Sequence, residues 1–158
     1  MKTLQELEEL TLQWFKDRQI IPNSTPFAQC VKLFEEFTEL LDGINKNDID
    51  LIKDSIGDIA VVLIGLNALQ GGAKLFSEPK LNKRYYTDNN RSRCALLGGS
   101  LSQGMVFEKS HEDSLEELDQ IAYTYKTSLD ECLELAYEEI KDRKGTLTPE
   151  GIFVKETK

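Results

Sequence analysis

The feature that most constrains the fold of this 158-residue chain is an apolar segment, IAVVLIGLNAL, at residues 59–69. It continues the helical pattern of the residues before it, and we predict one helix over residues 48–70. Because the second half of this helix is apolar on nearly all sides, it needs neighbours all round and is expected to be the central, most buried helix. The apolar segment is far shorter than the ~20 residues that span a bilayer, so no membrane association is expected.

Further helices are predicted from apolar residues at helical spacing and from capping residues at the helix starts. They cover residues 3–17, 26–41, 114–126 and 128–144. A loop with two prolines is predicted at 20–26, an irregular insertion that contains some helix at about 73–113, and a short β-hairpin with its turn at 149–151. The predicted fold class is therefore all-α with a short C-terminal hairpin, in a single domain over residues 1–158.

The chain is acidic, with 28 Asp and Glu residues against 19 Lys and Arg residues and a formal net charge of -9. This charge disfavours duplex nucleic acid as a partner, because the protein would repel its phosphates. A smaller phosphate ligand is compatible with the charge if metal ions stand between the two. The single histidine, His111, lies in an acidic segment and is expected to be exposed, which disfavours Ser-His-Asp chemistry.

Cysteine usage bears on the cellular compartment. The chain has three cysteines, Cys30, Cys94 and Cys132, without CxxC spacing. An odd number without close pairs disfavours a disulfide framework and a structural zinc site. The first residues are amphipathic and acidic and do not resemble a signal peptide. We therefore expect a protein of the reducing cytoplasm.

Acidic residues on two successive predicted helices form the pattern that points to chemistry. Glu36 and Glu39 lie one turn apart on the first helix, and Asp54 and Asp58 lie one turn apart on the second. A short linker favours an antiparallel pair of helices, so the four carboxylates can converge. Such a cluster is unfavourable when empty, and a hard divalent cation such as Mg²⁺ resolves the repulsion. A solvated acidic helix face is the alternative interpretation.

Gly57, next to Asp58, supports a crowded site over a solvated face. Glycine weakens a helix by roughly 1 kcal/mol relative to alanine. A residue that serves only solubility gives no reason for a glycine here. We expect that a neighbouring helix or a ligand approaches the backbone closely at this position.

These motifs resemble those of the MazG-like all-α nucleoside triphosphate pyrophosphohydrolases, particularly the small members from phages. That family carries ExxE on one helix and ExxD on the next, which together bind Mg²⁺. Here EFTE at 36–39 matches the first motif, and SIGD at 55–58 occupies the second. The segments QCVKLFEEFTEL and LDECLELAYEEIKDRKG also resemble the family. The resemblance covers about residues 10–70 and 114–156.

The resemblance implies Mg²⁺-dependent hydrolysis of a (deoxy)nucleoside triphosphate, (d)NTP, to the monophosphate and pyrophosphate, in the cytoplasm of a bacterium or a phage-infected host. Mn²⁺ could replace Mg²⁺. The implied metal ligands are Glu36, Glu39, Asp54 and Asp58. Glu35 or Glu39 would accept the proton of the attacking water. The candidate substrate-binding residues are Gln29, Lys32, Trp14, Lys141 and Arg143. For each of these five, an ordinary role in the core or on the surface stays open.

Two positions depart from the family pattern. Ser55 stands where the second motif normally begins with glutamate, and Glu138 stands where an asparagine often precedes Lys141 by three residues. These departures leave open a catalytically weakened protein that binds nucleotide or metal, or an acidic helical adaptor. The acidic character of the chain leaves open a third alternative, a mimic of DNA. A lone helical hairpin would leave the apolar face of 59–69 poorly covered, and the resemblance implies that a homodimer or homotetramer covers it.

Overall fold

A computed structural model describes residues 1–76, 90–107 and 110–157 of the chain. The described residues form helices α1 (Leu4–Asp17), α2 (Ile20–Asn23), α3 (Pro26–Lys46), α4 (Ile49–Leu69), α5 (Asn90–Gly104), α6 (Ser110–Thr124) and α7 (Leu129–Ile140), followed by strands β1 (Gly145–Leu147) and β2 (Phe153–Lys155). The two strands pair antiparallel, with Thr146 opposite Val154. The prediction of a helical fold with a C-terminal hairpin is confirmed, and the predicted loop at 20–26 contains the short helix α2.

Helix α4 is the central element, as predicted. Ile52, Ile56, Ile59 and Leu63 have no exposed surface, and residues 59–67 are all buried within the single chain. The helix packs against α1, α3, α6 and α7, so the chain covers this face with its own elements. The expectation that the apolar face is left uncovered, on which the predicted oligomer depended, was therefore wrong. A homodimer or homotetramer stays a prediction without that support.

Caps at three helix starts agree with the sequence patterns. The Thr3 hydroxyl accepts the Glu6 backbone N–H, and the Glu6 carboxylate accepts the Thr3 backbone N–H at 2.7 Å. Asp48 caps α4 through its side chain. Ser128 caps α7 by accepting the Glu131 backbone N–H. Side-chain acceptors at these positions satisfy amide groups that have no partner inside the helix.

Helix α3 is longer than the sequence predicted. An end near residue 41 was expected from the Asp-Gly pair that follows, but the helix continues to Lys46. Ile44 packs against the hydrophobic core, which favours the additional turn. The helix ends at Asn47, whose φ of 53° lies in the left-handed region. Asparagine adopts this conformation more readily than most residues, so the stop signal is Asn47.

The region at 73–113, predicted as an irregular insertion with some helix, contains a 15-residue helix. Helix α5 falls within it and packs against α6, while residues 77–89 and 108–109 lie outside the described residues. Helix α6 begins at Ser110, one turn before the predicted start at Ser114. Ser114 is inside the helix, where its hydroxyl donates to the Ser110 carbonyl oxygen at 3.1 Å, so it is not a cap.

His111 was expected to be exposed, and this expectation was wrong. Its side chain is fully buried, and Nε2 donates to Gln70 Oε1 at 2.6 Å. The Gln70 amide nitrogen in turn donates to the Gly104 carbonyl oxygen at 2.9 Å. The Gln70 side chain therefore joins the end of α4 both to His111 of α6 and to the end of α5. In the described part of the chain, no helix is both long enough and apolar enough to cross a bilayer.

Candidate functional site

A cavity of about 220 Å³ opens among α1, α3, α4, the end of α7 and the C-terminal hairpin. Part of its wall is apolar and includes Trp14, Val61 and Phe153. The rest of the wall is polar or charged, with the side chains of Gln29, Lys32, Glu36, Asp58, Arg143 and Lys155. Such a wall suits a ligand that carries both a ring system and a charged group.

Six residues singled out from the sequence line this cavity together. They are Trp14, Gln29, Lys32, Glu36, Asp58 and Arg143. They come from α1, α3, α4 and the segment after α7, which only the tertiary fold brings together. The structure thus places candidates for phosphate binding and for metal binding on one surface.

Asp58 is the most perturbed acid of the cavity. It lies on α4 immediately before the apolar run, at the edge of the core. Burial raises its pKa from 3.8 to about 7, and the negative charges of Glu36, Asp54 and Glu139 add to the effect, while Arg143 opposes it. Near neutral pH its carboxylate is therefore both poorly solvated and surrounded by like charges.

We expect the stability of the metal-free protein to fall as the pH rises from about 4 to about 7. Asp58 keeps its proton in the folded state up to about pH 7, whereas in the unfolded chain it loses it near pH 4. The folded state then binds more protons in this window, so the free energy of unfolding decreases, by at most about 1.4 kcal/mol per pH unit for one group. Urea unfolding in EDTA at several pH values measures this slope.

The Asp58→Asn variant is the control for this prediction, because it removes the titrating group. Its slope over the same pH window should be smaller than that of the wild type. A slope equal to that of the wild type would assign the pH dependence to other acids with raised pKa values, such as Glu36 or Asp54.

Glu36 faces the same cavity from α3, and Lys32 partly neutralises its charge. It is only 8% exposed, and burial raises its pKa, against the opposing effect of Lys32 and with a further rise from Glu39. Lys32 Nζ lies 3.2 Å from Glu36 Oε1 and 2.9 Å from Glu35 Oε2. One lysine thus balances part of the charge that Glu36 and Asp58 bring together.

The other two predicted metal ligands stand at the margin of this charge cluster. Burial raises the pKa of Asp54, and the charges of Glu139 and Glu39 raise it further. Glu39 is exposed, and neither residue lines the cavity. Among the described residues, no group of three or more His, Cys, Asp or Glu side chains is arranged to hold a metal ion. The four carboxylates influence one another electrostatically without forming a ready-made coordination shell.

Two predicted residues lie away from the cavity wall. Glu35 is exposed, and its carboxylate pairs with Lys32 at 2.9 Å. Lys141 is exposed and pairs with Glu138, three residues before it, and Glu138 also pairs with Lys2. Lys141 therefore forms an ion pair on the surface and does not pair with an acid of the cavity.

Trp14 serves both the core and the cavity. Its side chain is 7% exposed, its indole N–H donates to the Ile140 carbonyl oxygen at 2.7 Å, and the Arg18 guanidinium lies 4.8 Å from its ring centre. The Phe153 ring stands edge-on to it at 5.6 Å. Trp14 is thus held rigidly where α1, α7 and the hairpin meet.

Glu139 was missed by the sequence analysis. It is exposed on α7, pairs with Arg143 at i+4, and contributes its charge to the raised pKa values of Asp54 and Asp58. The spacing Glu139–Arg143 is visible in the sequence as EEIKDR, but nothing in that pattern shows that α7 packs beside the acidic end of α4. Lys155 of β2, which lines the cavity, was also missed, because the sequence does not show where the hairpin packs.

Gly57 explains how α7 reaches this position. A Cβ atom on Gly57 would lie 2.3 Å from the Cys132 carbonyl oxygen and 2.8 Å from the Ala136 Cβ atom. The absence of a side chain therefore allows the backbones of α4 and α7 to touch one residue before Asp58. The expectation of a close approach at Gly57 is confirmed, and the neighbour is α7.

Comparisons with known proteins add a phage relative. Over 64 residues the chain is 50% identical to the "Uncharacterized 18.2 kDa protein in rep-hol intergenic region" of Haemophilus phage HP1 (strain HP1c1). The match spans 40% of this chain and 39% of the phage protein, which is less than half of either. No family model and no solved structure matches the sequence. The chain is thus similar in part to a phage protein whose name states no activity.

Proposed function

We propose that this protein is a Mg²⁺-dependent nucleoside triphosphate pyrophosphohydrolase, as its resemblance to the MazG-like enzymes implies. The observation that carries the proposal is the charge arrangement at Asp58. This carboxylate, with a pKa of about 7, shares a cavity with the carboxylate of Glu36 and with the cations of Lys32 and Arg143. Strongly shifted acids in a cavity that also holds cations are typical of sites that bind a charged ligand.

The side chains fit a hard divalent cation by their chemistry. Glu36 and Asp58 offer oxygen ligands, and their mutual repulsion is the conflict that a cation relieves. Asp54 and Glu39, whose charges act on each other at the margin of the cavity, would complete the proposed ligand set. Mg²⁺ keeps several water ligands, so it does not require all protein ligands at once. Mn²⁺ accepts the same oxygen donors.

The cations of the cavity bind the phosphates of the substrate, and the apolar wall binds its base. Lys32 and Arg143 hold phosphate oxygens, for which Arg143 offers paired N–H donors. Each currently pairs with a glutamate, Lys32 with Glu36 and Arg143 with Glu139, and exchanges that partner for phosphate. The base lies against the apolar wall near Trp14, where stacking on an aromatic ring is favourable whatever the base.

The chemical step is attack of water on phosphorus, with pyrophosphate as the leaving group and one proton released. When bound, Mg²⁺ supplies positive charge to the phosphates and lowers the pKa of a coordinated water. Glu39 and Glu35 are the two proposed proton acceptors, and both carboxylates are exposed. The charge of Glu39 acts on Asp54 and that of Glu35 acts on Glu36. Glu35 is held by Lys32 and becomes free only when that lysine moves to phosphate.

Binding without turnover is the second candidate function, and Ser55 is the observation that favours it. Ser55 is 1% exposed, and in the described structure its buried hydroxyl has no hydrogen-bond partner. A glutamate at this position would supply the carboxylate that the family motif has. On this alternative, Ser55→Glu should raise a low turnover, because it restores the missing ligand.

We expect pyrophosphate and a monophosphate from at least one common (d)NTP in the presence of Mg²⁺, and no product in EDTA. Glu36→Gln should lower turnover at least about tenfold, because Glu36 is a proposed metal ligand and loss of a group that only orients such a ligand already costs that much. Pyrophosphate release measures both results. Glu9→Gln, an exposed acid whose pair with Lys74 is on the surface, is the control.

Two outcomes would redirect the proposal. Equal turnover in Glu36→Gln and the wild type would remove Glu36 from the site. Tight nucleotide binding with no turnover in any metal would favour the second candidate function.

A further inference from the structure

Ser24 connects the cavity to the C-terminal hairpin through two hydrogen bonds. It lies between α2 and α3 and is 6% exposed. Its hydroxyl donates to the Gly151 carbonyl oxygen at 2.6 Å, and the Gln29 amide nitrogen donates to the same hydroxyl at 3.1 Å. A hydroxyl has one hydrogen. Because Ser24 gives that hydrogen to Gly151, it can only accept from Gln29, and the nitrogen of the Gln29 amide must face Ser24.

The position of the Gly151 carbonyl is itself fixed by close packing. Gly151 is buried with a φ of 83°, in the left-handed region that favours glycine. A Cβ atom here would lie 3.0 Å from Ser24 Cα and 3.3 Å from the Thr25 backbone nitrogen. The turn of the hairpin therefore sits directly on the chain that enters α3, and its carbonyl has little freedom to move.

We propose that Ser24 is a positioning residue that sets which nucleobases the cavity accepts. By holding the Gln29 nitrogen, it keeps Gln29 Oε1 and the second amide N–H in one order along the cavity wall. This inference rests on the proposed function, since it assigns the base of the (d)NTP to the part of the cavity that Gln29 lines. No donor in the described residues bonds to Gln29 Oε1, so the acceptor is available to a ligand.

The ligand class that such a fixed amide distinguishes is defined by the order of donor and acceptor on the base. Cytosine and adenine carry an amino donor beside a ring-nitrogen acceptor. Uracil and guanine carry a carbonyl acceptor beside a ring N–H donor. A fixed Gln29 amide matches one order and leaves unpaired groups against the other, whereas an amide that can turn matches both.

The test measures binding, so that it does not depend on turnover. The probes are the α,β-imido analogues of dCTP, dUTP, dATP and dGTP with Mg²⁺. Trp14 is the only tryptophan of the chain and lines the cavity, so its fluorescence reports occupancy. We expect the wild type to prefer one member of the dCTP and dUTP pair, or of the dATP and dGTP pair, at least about tenfold. Ser24→Ala should reduce that ratio below about threefold.

Three variants control this experiment. Ser24→Thr keeps the hydroxyl and should retain the preference. Ser100→Ala removes a hydroxyl that donates to the Leu96 carbonyl oxygen within its own helix α5, and it should also retain the preference. Gln29→Leu removes the amide and should abolish the preference, which keeps the proposal testable if Ser24→Ala does not fold.

The outcomes separate this inference from the proposed function. A wild type without base preference, or a Ser24→Ala variant that keeps the full preference, would overturn the role of Ser24 and leave hydrolysis to be judged by pyrophosphate release. Failure of all four analogues to bind the wild type would overturn both.

Discussion

Replacing Asp58 with asparagine is expected to lower (d)NTP turnover at least about 100-fold and to raise stability at the same time. The variant removes a proposed metal ligand. Loss of a residue that only orients such a ligand already lowers activity by roughly 10–100-fold. Stability rises because the buried charge disappears, and its raised pKa indicates a gain of about 1–3 kcal/mol at pH 8 without metal. Pyrophosphate release and urea unfolding measure the two effects.

Asp50→Asn is the matched control, because Asp50 lies on the same helix but is exposed in its first turn. It should change turnover by less than about twofold and lose only a few tenths of a kcal/mol from the helix dipole. A stable Asp58→Asn variant with full turnover would remove Asp58 from the chemistry. A destabilised one would show that the carboxylate has favourable partners in the folded state.

Among these variants, Gly57→Ala is expected to lower the free energy of unfolding most, by about 3 kcal/mol or more. Its new methyl group would lie 2.3 Å from a backbone carbonyl oxygen of α7, which cannot move as a flexible side chain can. The helices must separate, which also moves Glu139 and Arg143 away from Asp58. We expect the melting temperature to fall by about 10 °C, and calorimetry measures this directly.

Gly99→Ala provides the control for this substitution. Gly99 lies within α5, and nothing approaches within 4 Å of the position that a Cβ atom would take there. Alanine should therefore stabilise the protein by about 0.5–1 kcal/mol through helix propensity alone. If Gly57→Ala were as stable as Gly99→Ala, α4 and α7 would not be in contact at Gly57.

The helices that the sequence predicted well are those with both a cap and a regular apolar face. Helix α4 has the Asp48 cap and the apolar run, and α7 has the Ser128 cap, so local patterns sufficed. Helix α6 was predicted one turn short because Ser114 looks like a cap but lies inside the helix. Asn47 ends α3 through its backbone conformation, which the neighbouring Asp-Gly pair concealed.

The candidate site was predictable where its residues share a helical hairpin and not where distant segments meet. Glu36 and Asp58 lie on neighbouring antiparallel helices, and their spacing alone placed them together. The contribution of Glu139 depends on how α7 packs beside α4, and that of Ser24 depends on where the hairpin turn docks. Burial of His111 likewise depends on Gln70, which is 41 positions away along the chain.

The cavity draws its walls from α1, α3, α4 and the hairpin, which are far apart along the chain. None of these segments holds the pocket alone, so the pocket exists only when the whole fold is assembled. A bound ligand then stabilises the whole fold, because its binding energy is lost whenever any one wall of the cavity separates. Occupancy would therefore slow the opening of the entire molecule and would couple the supply of ligand to the lifetime of the protein against proteolysis.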